Sequence, residues 1–234
     1  MLAIYKREMR AYFTTPIGYI FAAIFLAISA AVFAYTTLYS LTSDTSAYFT
    51  IMVFAFVILL PLLTMKTFSE ERKTKTEQLL LSAPVTLTGM VVAKFLAAFT
   101  VFFGGILLTS LNFIILYNHA RPETATILGN LLALILVGMA FLAVGLFVSA
   151  LCESQLAASV ITVSVLLLFL VISLANSLIE VEWIRFLLNG LSVFSRFQNF
   201  TRGIFDVAAI FYYISLTAVF LFLTVRVYDR RRFG

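Results

Sequence analysis

Chemistry in this 234-residue chain would have to come from a small kit: one histidine, one cysteine, eleven acidic and sixteen basic residues. A single Cys excludes a disulfide framework and a Cys-rich metal site, and a single His removes most zinc, haem and proton-relay chemistry. The six Met, with that Cys and His, show no repeated ligand spacing, so metal transport has no support and no metal site is expected. A membrane-embedded enzyme would need clustered catalytic residues, and His119 with Glu123 in a short outer loop is a poor candidate; no catalytic residue is assigned. No G-x-x-x-x-G-K-[ST] string exists to wrap phosphates in backbone amides; Gly89 to Lys94 is only a superficial echo. Work done on a substrate would need energy delivered by another subunit, through a segment that subunit can reach.

The richest polar segment is Lys66 to Met90, KTFSEERKTKTEQLLLSAPVTLTGM. Thr67 with Glu70 and Thr74 with Glu77 each have capping-box spacing, which predicts two short helices. The second would run from about Lys75 to Ser82, with Glu77 near its positive dipole end and Pro84 stopping it. Leu79, Leu80 and Leu81 make this helix apolar around much of its girth. Two readings stand: the leucines pack under a bundle, or they form a knob for a groove on a motor subunit. Glu70, Glu71, Arg72, Lys73 and Lys75 are by default a solvated face.

The elements that position this loop follow from composition. Hydrophobic residues make up 62% and charged residues 12% of the chain, against about 45–50% and about 25% in soluble domains. With a mean hydropathy of +1.07 and 25 Phe, the solvent must itself be apolar. Six apolar runs are long enough to cross a bilayer: 17–39, 48–65, 91–117, 127–151, 156–179 and 207–225. The first is too long for a signal peptide and reads as an uncleaved span. Twelve of the sixteen basic residues fall on one side: Lys6, Arg7 and Arg10; Lys66, Arg72, Lys73, Lys75 and Lys94; Arg226, Arg230, Arg231 and Arg232. The positive-inside rule therefore places both termini and the loop in the cytoplasm, and the net charge of +5 reads as topology, with no nucleic-acid partner. Apart from Lys94, grouped with the loop, the runs contain no ionisable Asp, Glu, Lys, Arg or His, which argues against an ion-coupled carrier. Asn112 and Asn176 are the polar residues singled out within the spans; helix-to-helix hydrogen bonding is the expected role.

The stretch SEERKTKTEQLLLSAP (Ser69 to Pro84) resembles the coupling-helix region of ABC-2-type transporter permeases: an acidic pair, basic residues, a Thr, then Glu and a Leu run ending before Pro. The opening YKREMRAYFTTPIGYIF (Tyr5 to Phe21) is similar to the subgroup containing gliding-motility permeases and the permease of nitrous-oxide-reductase maturation. With six spans, the resemblance covers essentially the whole chain. It implies one permease domain that dimerises, with a like or unlike subunit, and docks a cytoplasmic ABC ATPase. Glu77, Gln78, Leu79, Leu80 and Leu81 match the docking turn, and Glu70, Glu71 and Arg72 the acidic start. ATP and Mg²⁺ would belong to the partner, leaving this chain without a cofactor or catalysis of its own. Some relatives transmit mechanical work to extracytoplasmic accessory proteins and move nothing small.

On a helical wheel, Leu2, Tyr5, Met9, Tyr12 and Phe13 share a face beside Lys6, Arg7 and Arg10, predicting an interfacial helix before Pro16, as in the family. Between the last two spans, residues 180–206 carry Trp183, Phe186, Phe194 and Phe197 but are too interrupted for two crossings. Short re-entrant helices forming an outer gate, or an aromatic interfacial belt, fit equally. Ala23, Ala27, Ala30, Ala31 and Ala34 form a smooth ridge on the first span, a contact either with a second subunit or within this one. Gly138, Gly145 and Ser149 form a thinner ridge on the fourth. Pro61 would kink the second span just above the loop or be a tolerated membrane proline, and Cys152 and Glu153 occupy a short cytoplasmic turn.

The expected fold is an all-α integral membrane protein: six transmembrane helices, an N-terminal interfacial helix, a cytoplasmic coupling helix and short extracellular re-entrant helices. The expected setting is the bacterial or archaeal cytoplasmic membrane.

Overall fold

The structure is a computed structural model that describes residues 1–77, 86–119, 122–176, 190 and 192–233. The described residues are helices joined by short turns: α1 Leu2–Thr14, α2 Ile17–Phe33, α3 Ser46–Thr64, α4 Ser69–Lys73, α5 Leu87–Thr109, α6 Leu111–His119, α7 Thr124–Leu151, α8 Gln155–Asn176, α9 Val193–Thr201 and α10 Val207–Phe233. Six helical stretches are long and apolar enough to cross a membrane: Ile17–Leu38, Ser46–Lys73, Leu87–Asn118, Thr124–Leu151, Gln155–Asn176 and Val207–Arg232. The chain is therefore an all-α, multi-pass membrane protein. Backbone groups in hydrocarbon must be satisfied within their own segment, which helices accomplish.

Boundaries depart from the apolar runs in instructive ways. The first span ends in a π-helical turn, Ala34–Leu38, and the third breaks at Ser110 before resuming as α6. The last span does not stop at Val225: α10 continues through the basic tail, so Arg226, Arg230, Arg231 and Arg232 ride on a rigid helix. In the second span, α3 runs on through the buried Pro61.

Helix α7 is the hub, packed against α3, α5, α8, α9 and α10. Without a hydrophobic drive between helices in lipid, close backbone approach and dispersion must hold them together. The small-residue ridge on α7 supplies that approach within the chain. A Cβ at Gly138 would stand 2.1 Å from the Phe102 ring, and one at Gly145 2.3 Å from Thr64 Oγ1. Phenyl rings fill the rest: Phe56 stacks with Phe25 at 5.9 Å and meets Phe102 edge-on at 5.2 Å.

The first span divides into two faces. Phe21, Phe25, Ser29 and Phe33 are buried, while Ala23, Ala27, Ala30 and Ala31 are exposed and Ala34 is half-buried. Among the described residues, four of the five ridge alanines are therefore left open and only Ala34 is partly covered. Asn112 donates to Ser29 Oγ at 3.1 Å, and Ser29 bonds Tyr48 at 2.8 Å, an interhelical polar link of the kind expected. On the amphipathic face of α1, Tyr12 and Ile4 are buried and Tyr5 and Met9 are half-buried, but Leu2 and Phe13 are exposed. The packed face is rotated toward Ile4 and Glu8 because α1 lies along α5, where Tyr5 bonds Thr100 at 3.0 Å.

Candidate functional site

The candidate site forms where the second span runs into the polar loop, and the loop is held from four directions. The chain leaves α3 through a turn and enters α4, with Glu70 and Glu71 in its first turn and Arg72 and Lys73 in its last, the distribution the helix dipole favours.

The capping predicted at Thr67 does not occur. Phe68 occupies the N-cap position, and Thr67 Oγ1 instead donates back to Leu63 O at 3.4 Å. The free amides of Phe68 and Ser69 donate to Ser149 Oγ of α7 at 3.1 and 3.2 Å, while Ser149 donates to Met65 O at 3.3 Å. Ser149 is thus an N-cap supplied from 80 residues away. Thr74 also departs from its expected part: its hydroxyl bonds Glu70 O at 2.9 Å, closing α4 rather than opening a second helix. Lys75 has φ of 56°, a left-handed conformation, so the chain turns there and is helical again only at Glu77. Gln78, Leu79, Leu80, Leu81 and Pro84 lie outside the described residues.

The centre of the site is Lys94. Located in the third span, it is 1% exposed, and its Nζ donates to Thr67 O at 2.6 Å. The ammonium pairs with Glu71 at 2.9 Å and with Glu8 at 3.2 Å, and lies 4.8 Å from the centre of the Phe68 ring. Arg7 closes the square, 2.7 Å from Glu8 and 2.6 Å from Glu71. Burial would lower the Arg7 pKa, but bonds and charges from the two carboxylates outweigh it and raise it. Two cations and two carboxylates from α1, α4 and α5 thus make a net-neutral cluster. Nothing in the spacing of Glu8, Glu71 and Lys94 joins them; counted with the loop's basic residues, Lys94 reads only as a topology marker, and Glu8 carries no signal.

The other walls come from the far end of the sequence. Arg72 donates to Leu151 O at 2.7 Å and pairs with Glu153 at 2.7 Å, so the short turn after α7 is tied to α4. Cys152 in that turn has its pKa raised by partial burial, with the Arg72 charge opposing. Arg231 of α10 donates to Ala150 O at 2.7 Å and pairs with Glu77 at 3.1 Å. The Phe68 ring, fully buried, sits 4.9 Å from Tyr228, and Tyr12 of α1 donates to Leu63 O at 2.8 Å. Burial raises the Tyr12 pKa, keeping this donor protonated. Of the predicted loop residues, Glu71, Arg72, Thr74 and Glu77 are engaged in this seat; among the described residues the Glu70 carboxylate makes a 3.8 Å pair with Lys66.

At the opposite end, α9 lies against α3, α7 and α8. Phe194 and Phe197 are buried and turned into the bundle, with Phe194 5.2 Å from Phe54. Tyr213 donates to Val193 O at 2.7 Å and Ser173 Oγ accepts from Phe194 N, fixing the start of α9. Asp206 accepts from Asn199 at 2.8 Å and from the Ala209 amide; the Asn199 bond is the main cause of its lowered pKa. Trp183 and Phe186 lie outside the described residues. Asn130, in the fourth span, is fully buried with neither side-chain amide atom bonded among the described residues. Its setting amid apolar residues gave no spacing by which to single it out.

Six apolar helices, one of them the hub, with a charged loop seated at one end, define a multi-pass membrane protein. The chain belongs to the ABC-2 family transporter proteins, whose description matches residues 16–229. It is thus a membrane permease of ABC-type transport, not itself the catalytic component, and its family partners an ABC ATPase. No curated protein matches the chain.

Proposed function

We propose that this chain is one permease half of an ATP-driven ABC-2 exporter, dimerising and docking a cytoplasmic nucleotide-binding subunit through the loop at 69–84. The observation that carries the proposal is the seat of that loop: α4 is bonded to α1, α5 and the turn after α7, and Glu77 just beyond it to α10, so a push on the loop reaches most of the bundle. A rigid connection is what a subunit driven by nucleotide closure needs. Twelve basic residues on the loop side support a cytoplasmic location for the loop and both termini, in a bacterial or archaeal inner membrane. The docking turn itself is Glu77 to Leu81, with ATP and Mg²⁺ held by the partner. Helix α1 serves as the interfacial helix, and the exposed alanine ridge of α2 as the subunit contact. The inward-turned Phe194 and Phe197 belong to an outer gate, with Trp183 and Phe186 as its further members. The opening and loop motifs favour the gliding-motility and nitrous-oxide-maturation subgroup. A carrier powered by ions is disfavoured because Lys94 is already committed to Glu8, Glu71 and Thr67. A mechanotransmission subunit acting on an extracytoplasmic protein uses the same coupling and differs only in cargo.

The test is co-purification with a candidate cytoplasmic ABC ATPase from the same organism, comparing wild type with Leu80→Asp. The charged variant is expected to lose the complex and its stimulated ATP hydrolysis. An unchanged complex with unchanged hydrolysis removes the docking assignment.

A further inference from the structure

A groove of about 510 Å³ opens between the start of α5 and the second half of α10. That size falls within the roughly 300–1,000 Å³ of small-molecule sites. Its walls are of two kinds. Leu87 and Val92 of α5 face Leu221, Phe222 and Val225 of α10, giving an apolar cleft. Beyond Val225 the lining turns polar, with Thr88, Arg226, Asp229 and Arg232.

Helical spacing produces this division. Positions 218, 221, 222, 225, 229 and 232 fall at i, i+3, i+4, i+7, i+11 and i+14 along one side of α10. From Ala218 to Arg226 is eight residues, about 12 Å of helix, close to the roughly 15 Å of one hydrocarbon leaflet. The apolar part is therefore about one leaflet deep and its basic end stands where phosphates lie. Arg226 is held over the groove by Phe222, with its guanidinium 5.1 Å from the ring centre, and by an exposed 3.4 Å pair with Asp229. Arg232 is exposed and makes no ion pair among the described residues. Two guanidinium groups against one carboxylate leave the rim net positive. Arg231, by contrast, is spent on Glu77 and Ala150 O.

We propose that this groove is a binding site for an anionic glycerophospholipid, its phosphate held by Arg226 and Arg232 and one acyl chain lying along Leu221, Phe222 and Val225. Basic pockets between spanning helices are suited to anionic headgroups, and the arginine fork matches a phosphate diester. The site is separate from the loop seat and does not rest on the ATPase reading. Because α10 also carries Arg231 to Glu77, a lipid in the groove would brace the helix that forms one wall of that seat.

The experiment is native mass spectrometry of the purified chain titrated with phosphatidylglycerol, with phosphatidylcholine, and with glycerol phosphate as a chain-free headgroup. Phosphatidylglycerol is expected to bind about tenfold or more tightly than phosphatidylcholine, and glycerol phosphate is expected not to displace it. Arg226→Gln with Arg232→Gln should remove that preference; Ala218→Trp, which fills the cleft and leaves every charge, should lower occupancy to a similar extent. Arg230→Gln removes a charge that does not line the groove and should change nothing. Equal loss in Arg230→Gln would mean diffuse surface charge, and displacement by glycerol phosphate a free-phosphate site. A retained phosphatidylglycerol preference in the double arginine variant, or retained lipid in the folded Ala218→Trp variant, would mean the groove is not the site. Each of these results overturns the proposal.

Discussion

Replacing Lys94 with Met tests whether the buried charge cluster holds the loop in place. The substitution keeps a long flexible side chain but removes the ammonium, leaving Glu8 and Glu71 facing one another with Arg7 alone between them. The cluster changes from net neutral to net negative, and Thr67 O loses its buried donor. Gross attraction between unit charges 2.9 Å apart is about 6 kcal/mol at an effective dielectric of about 20, before desolvation is subtracted. Breaking a buried pair by removing one member costs about 3–5 kcal/mol. Here the carboxylates retain 15% and 13% exposure and can rehydrate, so we expect a cost at or just below that range, about 2–3 kcal/mol. Glu71→Gln in the Lys94→Met background restores net neutrality and should recover part of that loss. The assay is reversible unfolding in mixed detergent micelles on wild type, both single variants and the double variant, giving the coupling energy directly. A Lys94→Met cost within about 0.5 kcal/mol of zero, or a coupling energy of that size, would refute the idea that this cluster anchors α4.

Other variants examine neighbouring parts of the argument. Ser149→Ala removes the trans cap of α4 and should destabilise by about 1 kcal/mol, measured by the same unfolding assay, with a matching rise in amide exchange at Phe68 and Ser69. Gly145→Val forces side-chain atoms onto Thr64 and should cost about 1–3 kcal/mol, part of which Thr64→Ala in the same chain should recover. Asp206 titrates below its ordinary value of 3.8 in the fold, so its contribution to stability is complete above that pH and is lost as pH falls through the folded value. The melting-temperature difference between wild type and Asp206→Asn should therefore shrink only below about pH 3.8; a difference independent of pH would rule out the carboxylate bonds as its source.

The membrane class, the number of spans and the polar loop were legible from residue order alone, because a bilayer imposes a length and a polarity on each segment separately. Lys66 to Met90 stood out for the same local reason. Segment-by-segment rules also explain what was misjudged. Thr67 and Thr74 had the spacing of caps, yet Ser149 reaches the Phe68 and Ser69 amides from another span, and the Thr74 hydroxyl turns back to close α4 on Glu70 O. The Gly138, Gly145 and Ser149 ridge was visible as a pattern, but its partners Phe102, Thr64 and Phe68 depend on which helices become neighbours. Lys94 was the sharpest case. A lone lysine near a span's end is ordinary, and only the packing of α1 and α4 against α5 makes it the shared counter-ion of Glu8 and Glu71. Likewise the tail arginines carried a topology signal as a group, whereas a continuous α10 sends Arg231 to the loop and Arg226 and Arg232 to a groove. Polarity and length are summed along the chain, so the sequence alone determined them; pairing of charges and caps is decided across distances of several ångströms between segments 60 to 150 residues apart, and only the tertiary structure brings those together.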